Sequence, residues 1–202
     1  MSKKKITVFD VANYFLKCQD EKCGDMMSNM KIQKLVYYAQ GFHLAYTGNP
    51  LFDEPIVAWP HGPVCPDLYE AFKVYDGKPI PIPHSLDISE IFDEETIYIL
   101  DKVHERYGQY SAWKLRNLSH EETPWRKAFY SFDNLISVDS IKEYFKSILI
   151  DNEEDDDYEL IEDKFVGNRA CLKENSLMNT LNIDCGPITW TREELYERKS
   201  LH

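Results

Sequence analysis

Met30-Lys31-Ile32-Gln33-Lys34-Leu35-Val36-Tyr37-Tyr38-Ala39-Gln40 is the stretch on which the fold turns. Ile32, Leu35, Val36, Ala39, Phe42, His43 and Tyr46 recur at helical spacing over four turns, and Ser28 stands where an N-cap belongs. Gly48-Asn49-Pro50 ends the run. Gly41 lies inside it at a cost of roughly 1 kcal/mol against alanine, which predicts that another backbone approaches closely there. The remaining face carries Gln33, Lys34, Tyr37, Tyr38 and Gln40. A water-facing helix usually carries charges, so adjacent tyrosines with amides predict an exposed surface made to be covered. The alternative is a core helix whose tyrosines pack beneath a neighbouring loop, since tyrosine is often partly buried.

Outward from this helix the punctuation is regular. Thr7 and Asp10 predict a capping box for a first helix with Val8, Val11, Ala12, Phe15 and Leu16 inward, stopping before Gly24. Leu51 to Trp59 reads as short strands in a small hairpin, and Pro60, Pro63 and Pro66 stiffen the next loop. Pro66 opens a helix to about Tyr75, with Leu68, Tyr69 and Phe72 inward. Lys78 to Pro83 alternates proline and isoleucine, which predicts an extended connector. A third long helix is expected from Ser89 to Tyr107, stopped by Gly108. Ser111 starts a short helix holding Trp113, Leu115 and Leu118 and ending at Ser119. Pro124 starts another, and Ile141 to Leu149 mark the last, after Ser137 or Asp139. The fold class is therefore mainly α: a compact multi-helix domain over 1–150 with a small β-hairpin element, then an acidic linker and C-terminal extension over 151–202. In that extension only Thr191-Arg192-Glu193-Glu194 looks like a helix start.

The charge follows the same division. The chain of 202 residues has a net charge of −12, but nine acids and no bases lie between Asp151 and Asp163. The rest holds 26 acids against 23 bases. Neither part has the basic stripe that nucleic-acid binding needs. No apolar run is long enough for a signal peptide or a membrane span. The five cysteines are odd in number and form no Cys-x-x-Cys pair, which points to a reducing, cytoplasmic setting and away from structural zinc.

Candidate chemistry is sparse. His61 and Cys65 lie four apart in the stiff loop and could be a nucleophile with its base, or metal ligands. The competing reading is that His61 is a hydrogen-bonding post pinning the loop, with Gly62 supplying a backbone angle that other residues resist. His43 and His104 read as buried, satisfied histidines, and His120 as a local ion partner of Glu121 and Glu122. Asp53 and Glu54 are adjacent in an extended segment and point opposite ways, so they do not converge. There is no phosphate-cradling glycine loop and no nucleophile elbow. No catalytic residue, metal or cofactor is expected.

Taken in order, these motifs have a family likeness. They are Asp10 to Leu16, Met30 to Gln40, Gly41-Phe42-His43, Pro50 to Pro55, Ala58 to Val64, Tyr69 to Phe72, Tyr107-Gly108, Ser111-Ala112, Leu115, Leu118-Ser119-His120 and Pro124-Trp125. Over roughly residues 6 to 130 the chain resembles the Panacea family, the domain of SocA-type antitoxins and of the phage-associated protein GepA. The resemblance implies a mostly helical fold with a small β element. It also implies an antitoxin that binds and neutralises a protein toxin encoded by a neighbouring gene, or delivers it to the ClpXP protease as an adaptor through ClpX. On that footing Tyr37, Tyr38, Trp59 and Tyr69 are expected as partner-binding anchors, with Gln33 and Lys34 giving register and His61 beside them. Gly41, Gly62, Pro63, Pro124 and Trp125 are expected to serve the fold. Two rival readings stand beside it. One is a phage-encoded inhibitor or DNA mimic using Asp151 to Asp163; the other is an enzyme using His61 and Cys65.

Overall fold

The computed structural model describes residues 5–19, 27–83 and 87–153. They fall in the first of two compact units, Met1–Phe165; the second, Val166–His202, lies outside the described residues. So do the acidic block beyond residue 153, the helix start expected at Thr191, and Gly24.

Eight α-helices and one short hairpin are formed among the described residues: α1 (Val8–Lys17), α2 (Asn29–Thr47), β1 (Val57–Trp59), β2 (Gly62–Val64), α3 (Pro66–Phe72), α4 (Ile88–Ile91), α5 (Glu94–Val103), α6 (Ala112–Glu121), α7 (Thr123–Phe129) and α8 (Val138–Glu153). The fold class expected from the sequence is the one observed. Its local causes are largely the expected ones too. Thr7 and Asp10 form the reciprocal capping box of α1, with Asp10 N–H to Thr7 Oγ1 at 3.3 Å and Thr7 N–H to Asp10 Oδ2 at 2.9 Å. Ser28 Oγ accepts from Lys31 N–H at the start of α2, and Gly48 ends it in the left-handed region at φ 79°. Pro66 and Pro124 sit in the first turns of α3 and α7. Ser137 Oγ accepts from Ser140 N–H at the start of α8.

Several expectations are corrected. The long helix over 89–107 is broken, because Phe92 is extended and Asp93 starts α5 afresh by accepting from Thr96 N–H at 3.0 Å. The far end of α5 widens into a π-helical turn over His104–Gly108. α6 does not stop at Ser119; the Ser119 hydroxyl donates to Arg116 O one turn back, so the helix continues to Glu121. In α3 only Leu68 is buried, while Tyr69 and Phe72 are half-covered.

α2 occupies the centre. It packs against α1, α3, α5, α6, α8 and the hairpin, and every residue from Lys31 to Ala45 is buried. The close approach at Gly41 comes from a side chain and not, as expected, a backbone. The Phe145 ring of α8 lies so near that a Cβ at Gly41 would stand 2.4 Å from it. That ring is itself hemmed in by Phe42 at 5.0 Å, Tyr144 at 5.4 Å, Tyr37 at 5.6 Å and Tyr38 at 6.0 Å between centroids. β1 and β2 pair antiparallel in the register Val57↔Val64, Ala58↔Pro63, Trp59↔Gly62. The other edge of β1 is covered by Asn134 to Ile136, through Ala58 N–H to Asn134 O at 2.8 Å and Ile136 N–H to Ile56 O at 2.9 Å. Among the described residues no helix is long and apolar enough to cross a membrane, and no group of three or more His, Cys, Asp or Glu could hold a metal ion.

Alanine favours a helix over glycine by ~1 kcal/mol, but here its methyl would meet a ring that cannot retreat. Gly41→Ala is therefore expected to destabilise the fold by ~1–3 kcal/mol in urea denaturation, with Phe145→Leu restoring part of the loss in the double variant. A stabilising Gly41→Ala would show that the ring yields.

Candidate functional site

The polar side chains of α2 face inward. Gln33, Lys34 and Tyr38 are 1% exposed, Tyr37 is 0% and Gln40 2%. The expectation of an exposed face is thus overturned in favour of its alternative, a core helix beneath neighbouring loops. Burying amides, phenols and an amine is costly unless each finds a partner, and each does. Gln40 Nε2 donates to Phe52 O at 2.9 Å, while its Oε1 accepts from Leu51 N–H at 2.8 Å and Phe52 N–H at 3.3 Å. Gln33 Oε1 accepts from Cys65 N–H at 2.9 Å and its Nε2 donates to Asn29 Oδ1 at 3.0 Å; Asn29 Nδ2 in turn reaches Tyr69 O at 3.2 Å. Lys34 Nζ donates to Pro63 O at 2.9 Å. α2 thereby fastens both ends of the segment from Leu51 to Cys65.

The tyrosines reach further along the chain. Tyr37 OH donates to Glu122 Oε2 at 2.7 Å and Tyr38 OH to Glu122 Oε1 at 2.8 Å. Glu122 joins α6 to α7, so this one carboxylate ties two helices to α2. Desolvation pushes its carboxyl up to about 7, against the opposing pull of the two phenols. Burial, with Glu122 beside them, pushes both phenols well above their ordinary value. Lys34 moves the opposite way, down to about 7, through desolvation and then the charge of Arg116. No local pattern could have marked Glu122, because its partners are 84 and 85 residues away.

The hairpin carries the residues that stay accessible. Trp59 is half-covered, its ring edge-on to Tyr69 at 4.9 Å and its carbonyl accepting from Trp125 Nε1–H at 3.1 Å. Gly62 has φ 98°, as expected for a residue others resist, and His61 is exposed on the turn. His61 meets the Trp113 ring edge-on at 5.9 Å and is not the loop's post; Gln33 and Lys34 are. Trp113, 51% exposed, enters the sequence reading only as part of its helix. Its signal was available: it lies two residues from buried Leu115, about 200° round the helix.

The expected site therefore divides. Gln33, Lys34, Tyr37 and Tyr38 are interior fasteners, whereas Trp59, His61 and Tyr69, joined by Trp113, form a rim. The nucleophile reading of His61 and Cys65 finds no support in their geometry. Cys65 is buried, its thiol is pushed up by desolvation, and no hydrogen bond joins it to His61. His43 is satisfied as expected, with Nδ1 2.9 Å from Asn49 O. His120 is a correction: it makes no ion pair with Glu121 or Glu122. It lies flat on Trp125 at 3.8 Å, and desolvation, then Arg116, Lys34 and His61, lower it to about 4.

Fold and site together define a small helical domain in which one buried polar helix fastens a hairpin and leaves an aromatic rim outside. Residues 32–126 match the family described as Antitoxin SocA-like, Panacea domain. The matched span is narrower than the 6 to 130 of the motif resemblance; it opens in α2 and closes just after Glu122 and Trp125. The chain is also similar to Antitoxin SocA of Caulobacter vibrioides (strain NA1000 / CB15N), 40% identical over 52 residues, which is 26% of this chain and 28% of that protein. The likeness thus spans little more than a quarter of that relative. No solved structure matches the chain significantly.

A carboxyl whose folded pKa is raised from 4.5 to about 7 favours the fold while protonated. That contribution is complete below 4.5 and is lost as pH rises through 7. Relative to Glu122→Gln, the natural chain is expected to lose ~1–3 kcal/mol of stability between pH 4.5 and 8, measured by urea denaturation. Lys34 is common to both chains and cancels. A flat difference would show that the Glu122 carboxyl is unperturbed.

Proposed function

We propose that this protein is an antitoxin that neutralises a protein toxin, encoded beside it, by covering the toxin with the hairpin face. The family of the domain and the name of its relative support an antitoxin role. The observation that carries the surface is the division of the site. Every polar group of α2's signature is engaged by the protein's own scaffold, while Trp59 and His61 stand on a hairpin held from beneath, with Tyr69 of α3 against Trp59 and Trp113 of α6 against His61. Large rings on a preorganised support are the features that concentrate binding energy. In this reading the protein makes and breaks no bond, in keeping with a buried, raised Cys65 thiol. The odd cysteine count supports a cytoplasmic encounter. Nothing among the described residues favours delivery to ClpXP over simple occlusion. The DNA-mimic reading rests on a block that lies almost wholly outside them.

Co-expression tests the reading. The neighbouring gene's product is expected to arrest growth alone, to be tolerated with this chain, and to co-purify with it. Trp113→Ala and Tyr69→Ala are each expected to weaken the complex by ~10–30-fold, with the melting temperature of the free chain unchanged. Unchanged affinity in both moves the partner to another face, and absence of rescue with every toxic neighbour overturns the antitoxin role.

A further inference from the structure

Beneath the rim, four side chains able to carry positive charge gather at the foot of the hairpin turn. Lys34 and Ser119 press directly on the turn: a Cβ on Gly62 would stand 2.7 Å from Lys34 Cε and 2.8 Å from Ser119 Oγ. Arg116 and His120 flank Ser119, four apart and so on one face of α6. His61 is the next residue of the turn. Arg116 acts on Lys34, and Arg116, Lys34 and His61 act on His120.

Among the described residues no carboxylate answers them. The ion pairs formed there are Lys5–Asp53, Lys73–Glu70 and Lys102–Glu105, all elsewhere. This is a chain of 35 acids and 23 bases, so a gathering of basic side chains with no carboxylate among them runs against its composition. Two nitrogens of the cluster, Arg116 Nε and His120 Nε2, are also buried without a hydrogen-bond partner. Arg116 Nε can only donate, and a buried unmet donor costs stability. Lys34 Nζ donates to Pro63 O and in either protonation state has a further N–H to give. Arg116 reaches outward as well, with its guanidinium 5.9 Å from the exposed Trp113 ring and Nη1 donating to Asn117 at 3.0 Å.

We propose that this cluster is an oxyanion site, in which carboxylate or phosphate oxygens accept from Arg116 Nε, His120 Nε2 and Lys34 Nζ, with His61 and Trp113 at its mouth. An acidic side chain of a protein partner is one source of such oxygens and a phosphoryl group the other. The site stands on its own chemistry, whether or not the partner is a toxin.

The probes are inorganic phosphate and acetate, each added to the full chain at ionic strength matched with sodium chloride. Phosphate is expected to shift the His120 ring nitrogen resonances saturably and to raise the melting temperature by about 3–6 °C at ten times its Kd. Arg116→Met is expected to abolish both responses, while Lys114→Met, exposed on the same helix, keeps them. The titration of the unaltered chain decides the matter even where Arg116→Met fails to fold. Phosphate acting alone assigns the site to a phosphoryl group, and both anions acting assign it to a carboxylate-sized oxyanion. His120 resonances that respond to neither anion beyond the chloride control overturn the proposal.

Discussion

A helix covered on all sides can carry two glutamines, a lysine and two tyrosines only if each polar side chain is matched inside the protein. That constraint organises the molecule. Each match on α2 reaches a different piece of chain: the start of the hairpin segment through Gln40, its end through Lys34 and Gln33, and the α6–α7 junction through Tyr37 and Tyr38. The apolar half of the helix supplies burial, which is strong but carries little direction. The polar half supplies register, because a carbonyl moved by an ångström loses its donor. The segment from Leu51 to Cys65 is therefore tied to α2 at both ends, and the hairpin sits on that support.

Two buried groups pushed toward neutrality oppose each other. Glu122 is favoured protonated and Lys34 is favoured neutral, so lowering the pH relieves one burial and aggravates the other. Both belong to the polar network around α2, but one faces the tyrosine cluster and the other the hairpin turn. The first connects the helices; the second lies next to the surface where a partner is proposed to bind.

Much of the fold was legible because its signals are local. Thr7 with Asp10, Ser28, Gly48, Pro66 and Pro124 act within one turn of chain, and they place helix ends wherever they occur. The break at Phe92 was hidden because Ile88, Ile91, Ile97 and Leu100 keep apolar spacing across it, while Asp93 looks like any surface acid until its carboxylate is seen to cap. Exposure was the harder question. Tyr37 and Tyr38 read equally as a sticky surface or as a covered one, since a phenol suits both. What decides is Glu122, whose part in the site depends entirely on tertiary packing. Asn134 to Ile136 was missed as a strand partner for the same reason: three residues pairing with a distant edge leave no periodicity to read.

The plug at Gly41 has a consequence for where this domain ends. The stretch shared with the family closes at Arg126, yet the ring filling the hollow on its central helix comes from Phe145, nineteen positions later. The matched stretch and the packed core are thus different lengths of chain. Any exchange of the sequence after α7, by recombination or by an engineer, has to bring its own aromatic stopper for that hollow, or leave the helix that fastens everything else with one side open to water.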